Sequence, residues 1–216
     1  MPEQNARPRA LSDIVNDLWG TPATPASPAP AAPEAPTAPR KAYQSTFPPF
    51  EQLWKTADET VDWTDALASA TPTDGLTSPR LWSFFHEHAA AVLKGDLNAY
   101  VEVLHAANPL GDLAPYAVSF DVEAESADRL RVTFEGSPAY LGAAEKEVRR
   151  YLAGVALRAA RDLMALLPVR AVLAEGVSQG TTLLSVEFDR DELQKVRFSF
   201  IDPEAFAMAC GGVFCA

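Results

Sequence analysis

Residues that build metal sites and covalent cross-links are scarce in this sequence. Its 216 residues include two cysteines, Cys210 and Cys215, and three histidines. A structural zinc site needs about four converging Cys, His or carboxylate ligands, and disulfide-stabilised folds carry several cysteine pairs. The two cysteines could close a small loop or supply half of a metal site, but no second pair lies nearby in the sequence. We therefore predict free thiols and no metal site.

Long apolar runs and basic charge are also scarce. The most apolar stretch, residues 151–169, is interrupted by two arginines and an aspartate, whereas a membrane-spanning helix needs about 20 predominantly apolar residues. Acidic residues outnumber basic ones by 29 to 18, which gives a net charge of -11. Because this field repels nucleic acids and anionic lipid surfaces, we expect neither nucleic acid nor a membrane as a partner.

Signatures of catalysis and of export are missing as well. The sequence contains no Gly-rich phosphate loop, nucleophile elbow or Ser/His/Asp order, so we assign no catalytic residue and no cofactor. The N-terminus lacks the basic-then-apolar order of a secretory signal. Together with the free thiols, this predicts a cytoplasmic protein, because thiols stay reduced in that compartment.

What the sequence does contain is a chain in four parts. Residues 1–20 form an arm, residues 21–42 a Pro/Ala-rich linker, residues 43–110 a helical segment and residues 111–216 an α+β domain. The linker holds seven prolines and no large apolar residue. Proline removes backbone donors and favours extended geometry, so we predict a semi-rigid tether that lies outside any core.

Apolar residues recur in the arm at the spacing of one helical face. They are Leu11, Ile14, Val15, Leu18 and Trp19. A helix of about nine residues is too short to be stable alone in water, so it needs a surface to pack on. That surface belongs either to the protein's own body or to another protein, as in helix-in-groove recognition. Phe50 and Trp54 join the candidate partner-binding residues, because tryptophan above all is frequent at binding hot spots. Burial in the body explains Trp54 equally well.

The body changes from helical to strand periodicity at about residue 111. Helical spacing predicts a first helix over residues 50–61, a second that opens at Ser78 and a third capped by Asp96. Alternating residues 116–123 and 130–135 predict an antiparallel hairpin, and a long helix follows it. The long helix is predicted at residues 143–167, strands at residues 169–174, 183–188 and 196–200, a short helix at residues 191–195 and a last helical turn from Pro203 through Met208.

These elements predict an α+β fold. An N-terminal helical segment precedes a ββαββ domain, in which one long helix packs on a mainly antiparallel sheet.

Two runs around the end of the long helix resemble a helix–strand junction in a group of uncharacterised bacterial proteins. The runs are Leu-Arg-x-Ala-Arg, here residues 157–161, and Ala-Leu-Leu-Pro-Val, here residues 165–169. Residues 184–190 and 200–203 are similar to the segments that follow in that group. The resemblance covers residues 112–209 and implies a domain boundary at its start. It implies no activity, because the group has none assigned.

Three arginines on the long helix form a candidate anion site. They are Arg150, Arg158 and Arg161, and phosphate is the kind of ligand that clustered guanidinium groups hold. The alternative is a solvated helix face, because Glu147 precedes Arg150 by three residues and Asp162 follows Arg158 by four, both spacings of helical ion pairs. The sequence favours the solvated face.

Acidic residues gather where the strand at residues 183–188 ends. They are Glu187, Asp189, Asp191 and Glu192. Carboxylates at a strand end can hold Mg²⁺ for phosphodiester chemistry, which defines an alternative function as a metal-dependent, nuclease-like enzyme acting on phosphates near Asp189. A polar strand end followed by a helix cap explains the same residues and is the favoured interpretation.

The organisation of the chain favours a non-enzymatic interaction or adaptor protein. The tethered helix would bind a protein partner or another copy of the chain, while the α+β body folds independently. The enzyme alternative depends on the acidic strand end and on Arg158 or Arg161 beside it.

Overall fold

The computed structural model describes residues 49–72 and 77–215. The arm and the linker predicted at residues 1–42 lie outside this part of the chain. The candidate partner-binding residues of the arm therefore lie outside it as well; they are Leu11, Ile14, Val15, Leu18 and Trp19. Within the described residues the fold is α+β, as the sequence predicts.

Three helices open the body, and each begins where a side chain caps it. Helix α1 spans Trp63–Ala68, α2 spans Pro79–Leu93 and α3 spans Leu97–Ala107. The oxygen of Ser78 accepts the Leu81 N–H, and Asp96 accepts the Asn98 N–H, so both predicted caps are confirmed. Such caps satisfy backbone donors that the first helical turn leaves without partners.

The helix predicted over residues 50–61 is wrong. Only a single 3₁₀ turn forms there, at Leu53–Lys55, and the chain then runs extended to the cap of α1. We call residues 49–62 the strap, since they lie along the long helix α5, which spans Glu145–Leu166. The Val61 N–H donates to the Ala165 carbonyl of α5 at 2.9 Å. The apolar residues of the strap thus pack on the body in an extended conformation. This tertiary packing overrides the helix propensity of the segment.

Five strands form one sheet in the order β1-β2-β3-β4-β5. The β2–β3 pair is parallel and the other three pairs are antiparallel, so the sheet is mainly antiparallel, as predicted. Parallel neighbours need a crossover connection, and α5 supplies it between β2 and β3. The strands are β1 Ala117–Ser126, β2 Arg129–Gly136, β3 Ala171–Ser178, β4 Thr181–Asp189 and β5 Val213–Phe214.

Helix α5 packs across one face of the sheet and forms the centre of the core. It starts at Glu145, after a short helix α4 at Pro138–Leu141, and Pro168 follows its end. From Tyr151 to its end all but one of its residues are buried. Position 154 of α5 is best filled by glycine, because a Cβ there would lie 3.0 Å from the Trp54 ring of the strap. The helix is therefore enclosed by the sheet on one side and by the strap on another.

The C-terminal elements differ from prediction in two places. The short helix is present as α6, Arg190–Gln194, and α7 follows at Pro203–Ala209. The predicted strand at residues 196–200 is wrong, because Phe198–Phe200 forms a 3₁₀ turn. Strand β5 was not predicted, since two residues are too short to show a period. Among the described helices, none is both long enough and apolar enough to cross a membrane.

Candidate functional site

The strongest concentration of charge inside the body surrounds Arg158 of α5. Its side chain is 7% exposed. The Nε atom donates to Asp162 at 2.5 Å, and the terminal nitrogens donate to the Thr56 hydroxyl at 2.6 Å and to Asp112 at 2.8 Å. A carboxylate oxygen of Asp58 lies 3.5 Å from a terminal nitrogen. We call these five residues the clasp, since they join the strap and the turn before β1 to α5.

Asp162 is the innermost member of the clasp and is fully buried. Its carboxylate accepts the Asp58 backbone N–H at 2.8 Å in addition to the Arg158 Nε–H. Burial raises the pKa of Asp162 to about 7, although the Asp58 N–H and Arg158 act in the opposite direction. The ionisation of this one carboxyl group is therefore coupled to the attachment of the strap.

Arg161 holds the strap through its backbone. Its NH1 group donates to the carbonyl oxygen of Trp54 at 2.5 Å and to that of Thr56 at 3.0 Å. The guanidinium carbon lies 3.6 Å from the centre of the Phe198 ring, which is cation–π geometry. Burial lowers the pKa of Arg161. This side chain is thus a structural fastener between the strap, α5 and the turn after α6.

Arg150 lies apart from the other two arginines. Its Nε atom is 3.2 Å from Asp202, and its guanidinium carbon is 5.3 Å from the centre of the Trp54 ring. The predicted partner Glu147 does not form this ion pair among the described residues. Arg150 and Asp202 are both partly exposed, so this pair is a surface contact.

The arginines do not form the candidate anion site. Arg150 lies eight residues before Arg158, about 12 Å along a helix, and Arg158 and Arg161 already donate to protein oxygens. The solvated-face interpretation is also wrong for Arg158. Its ion pair with Asp162 has the predicted spacing but lies inside the body. The physical reason is that the strap covers this side of α5, which the sequence of α5 alone does not show.

A shallow cleft of about 210 Å³ opens beside the clasp. Asp58, Arg161, Arg190 and Phe198 lie along it. The Arg190 side chain donates to three carbonyl oxygens at and beyond the end of α5, those of Met164, Leu167 and Val169. Both arginines of the cleft are therefore engaged in holding backbone segments together, and the cleft is a seam between the strap and the end of α5.

Phe50 and Trp54 pack on the body itself. Trp54 is 1% exposed, and its ring covers Gly154 of α5. Phe50 is half-buried, with ring centres 5.9 Å from Tyr140 and 5.8 Å from Tyr151 in edge-to-face contacts. We therefore correct the prediction that these two residues bind a partner, because their apolar surface already packs on other residues of the chain.

The acidic strand end is a helix cap with ion pairs. Asp189 accepts the Asp191 N–H at 2.8 Å, which caps α6, and its other oxygen lies 3.2 Å from Arg170. Glu192 pairs with Lys195 at 2.8 Å. Within the described residues, no three His, Cys, Asp or Glu side chains are placed to hold a metal ion. The capping interpretation of Asp189 is thus confirmed.

Sequence reasoning missed Asp58, Asp112 and Arg190 as members of these networks. Asp58 and Asp112 lie 104 and 50 positions from Asp162 in the chain, and no local pattern connects such distant residues. One signal was available. Arg158 and Asp162 stand at ion-pair spacing within a run of mostly small and apolar residues, so the sequence allowed an ion pair enclosed by apolar neighbours.

The chain was compared with models of protein families, with curated proteins and with solved structures, and none of them matches it. The resemblance of residues 112–209 to a bacterial group therefore stays a prediction.

Proposed function

We propose that this protein is a non-enzymatic interaction or adaptor protein in which the helix predicted at residues 11–19 binds a protein partner. The observation that supports this most is the anchored strap. Trp54 is buried against α5, and Thr56 and Asp58 belong to the clasp. The chain that precedes residue 49 is thus joined to a firmly held segment of the body.

The arm and the linker suit this role on physical grounds. The apolar stripe of the arm is too short to be a stable helix alone, so its helix would form on the surface it binds. A proline-rich linker extends at about 3.1 Å per residue, which gives a reach of about 60 Å. A tether of that kind keeps the binding helix near the body and sets its effective concentration for a second contact.

The test is affinity capture with the full chain as bait, from a lysate of the cells that make it. The disrupting variant is Ile14→Asp/Leu18→Asp, which places two carboxylates on the apolar stripe. The matched control is Ser12→Asp/Asn16→Asp, which adds the same charge off that stripe.

We expect the wild type and the control to retain the same proteins and the disrupting variant to lose them. Equal capture by all three would overturn the proposal. Thermal unfolding of the three proteins should coincide, which separates loss of binding from loss of the fold.

A further inference from the structure

A second surface of the body, remote in sequence from the strap, has the features of a docking site. Helix α3 and strand β1 border a groove of about 360 Å³ in which apolar side chains lie beside the polar residues His105 and Asn108. Val101 and Leu104 line it from α3, and Phe120 and Val122 line it from β1. Val101 is 43% exposed, which is unusual for a valine beside a core. The groove thus presents apolar surface that the described residues leave uncovered.

Strand β1 is the edge of the sheet at this groove. Among the described strands it pairs with β2 alone, over a length of 10 residues. Natural edge strands are guarded against pairing by lysine, proline, short length, charge or bulges. Strand β1 is long and has no lysine or proline, and its register shifts lie near its two ends, so its middle keeps regular strand geometry. Its backbone donors and acceptors on the outer side are therefore available for another strand.

The groove continues the buried face of the sheet beyond this edge. Phe120 pairs with Phe134 and Val122 with Val132, and both partners on β2 are fully buried. Alternate residues of a strand point to one face. A further strand beside β1 would therefore place every second side chain next to Phe120 and Val122, in the groove beneath α3.

Strand β1 also carries negative charge. Asp121 and Glu123 are exposed, and Asp121 borders the groove itself. Glu123 lies opposite Arg131 of β2 in the strand register, and neither carboxylate forms an ion pair within 4.0 Å among the described residues. If a second copy of the chain paired with β1 antiparallel about Val122, Asp121 of each copy would lie opposite Glu123 of the other. Like charges directly opposite each other destabilise a strand pair, whereas opposite charges stabilise it. In this register the edge disfavours a second copy and favours a basic strand.

We propose that the edge of β1 and the groove beneath α3 form a docking surface for an extended, basic segment of a protein partner. The segment adds to the five-stranded sheet by backbone hydrogen bonds. Its apolar side chains enter the groove, and its lysines or arginines lie opposite Asp121 and Glu123. This mode of binding is β-augmentation, in which the negative charge of β1 selects a basic segment. It does not depend on the arm or its partner.

The probe is a synthetic peptide of alternating lysine and valine, as long as β1, with a glutamate–valine peptide as its counterpart. Each is titrated into the full-length protein while backbone amide shifts are followed by NMR. We expect the lysine peptide to shift the amides of residues 117–126 and to bind about tenfold more tightly than the glutamate peptide. Binding should weaken as salt rises, because exposed charges are screened.

Two variants make the result specific. Asp121→Lys/Glu123→Lys should reverse the preference between the two peptides. The control Glu59→Lys/Glu87→Lys changes the net charge equally at exposed positions elsewhere and should leave the preference unchanged.

Three results would overturn the proposal. They are equal binding of both peptides, shifts that do not centre on β1, and a wild-type dimer in sedimentation whose interface shifts the same amides, which would make a second copy the occupant.

Discussion

The two faces of the sheet are built from the same strands but treat polar groups in opposite ways. On the covered face, Leu130 and Val132 are fully buried, and α5, which packs on that face, carries Arg158 and Asp162 into the clasp beneath the strap. On the open face, arginines and glutamates pair in partly solvated contacts; these are Arg129 with Glu187 and Arg131 with Glu125 and Glu175. Ion pairs thus occur both in the clasp and on the open face, whereas their burial differs.

Burial decides what each pair contributes to stability. An exposed ion pair stabilises a protein by about 0–1 kcal/mol, because water and salt screen it. Removing one partner of a buried pair costs about 3–5 kcal/mol, because the other charge is left without compensation. The difference between the faces can therefore be measured by substitution.

The largest expected loss comes from opening the clasp. Arg158→Met keeps much of the side-chain volume but leaves Asp162 buried without its cation. We expect the free energy of unfolding above about pH 8, where Asp162 is ionised, to fall by about 3–5 kcal/mol, measured by urea denaturation. The loss should shrink as the pH falls through 7, since Asp162 then accepts a proton. A loss below 1 kcal/mol, about that of an exposed pair, would show that the clasp behaves like the open face.

Next in size is a cavity in the same helix. Leu163 is fully buried, and Leu163→Ala should cost about 2–5 kcal/mol through lost burial and the cavity left behind. The control on α5 is Arg150→Ala, which should cost about 0–1 kcal/mol because its pair with Asp202 is partly exposed. If the control were the more destabilising of the two, Arg150 would have a partner that the described contacts do not account for.

An effect of similar total size, spread over about three pH units, follows from the pH dependence of Asp162. Its pKa in the folded protein is about 7, against an ordinary value of about 3.9 in an unfolded chain. The folded state therefore binds this proton more tightly, so its contribution to stability is full below about pH 4 and is lost as the pH rises through 7.

Asp162→Asn removes this titration. As the pH rises over that range, we expect the wild type to lose up to about 1.4 kcal/mol of unfolding free energy per pH unit relative to Asp162→Asn. Urea denaturation at a series of pH values measures it. A difference that stays constant with pH would show that Asp162 remains ionised throughout.

The smallest change belongs to the open face. Arg129→Ala removes a guanidinium that lies 2.6 Å from Glu187 and is 40% exposed. We expect a change of about 0–1 kcal/mol that disappears in high salt, measured by thermal unfolding. A loss close to that of Arg158→Met would show that the open face is covered in solution.

Local signals were enough to predict most of the elements. Ser78 and Asp96 start helices because their oxygens accept free backbone N–H groups, and Pro168 follows the end of α5 because it lacks an N–H. Alternation in β1 and β2 predicted their hairpin. These features depend on residues within one turn of a helix or within one pair of strands.

What escaped prediction depends on contacts between distant residues. The apolar spacing of Leu53, Trp54 and Val61 fits a helix equally well, and only α5 and its Gly154 select the extended strap. The burial of Arg158 was missed for the same reason, because the strap that encloses it lies about a hundred residues earlier in the chain. A pattern within one element cannot report what another element covers.

The strap also has a consequence for folding kinetics. Its bonds to α5 join residues 102 to 107 positions apart, whereas the two hairpins of the sheet are local. Contacts of long sequence separation form late, because closing the intervening loop costs entropy first. Disrupting the clasp should therefore accelerate unfolding and leave the refolding rate nearly unchanged, as expected for contacts absent from the transition state. The strap thereby stabilises the folded state kinetically, because the strength of its contacts with α5 sets the unfolding rate of the body.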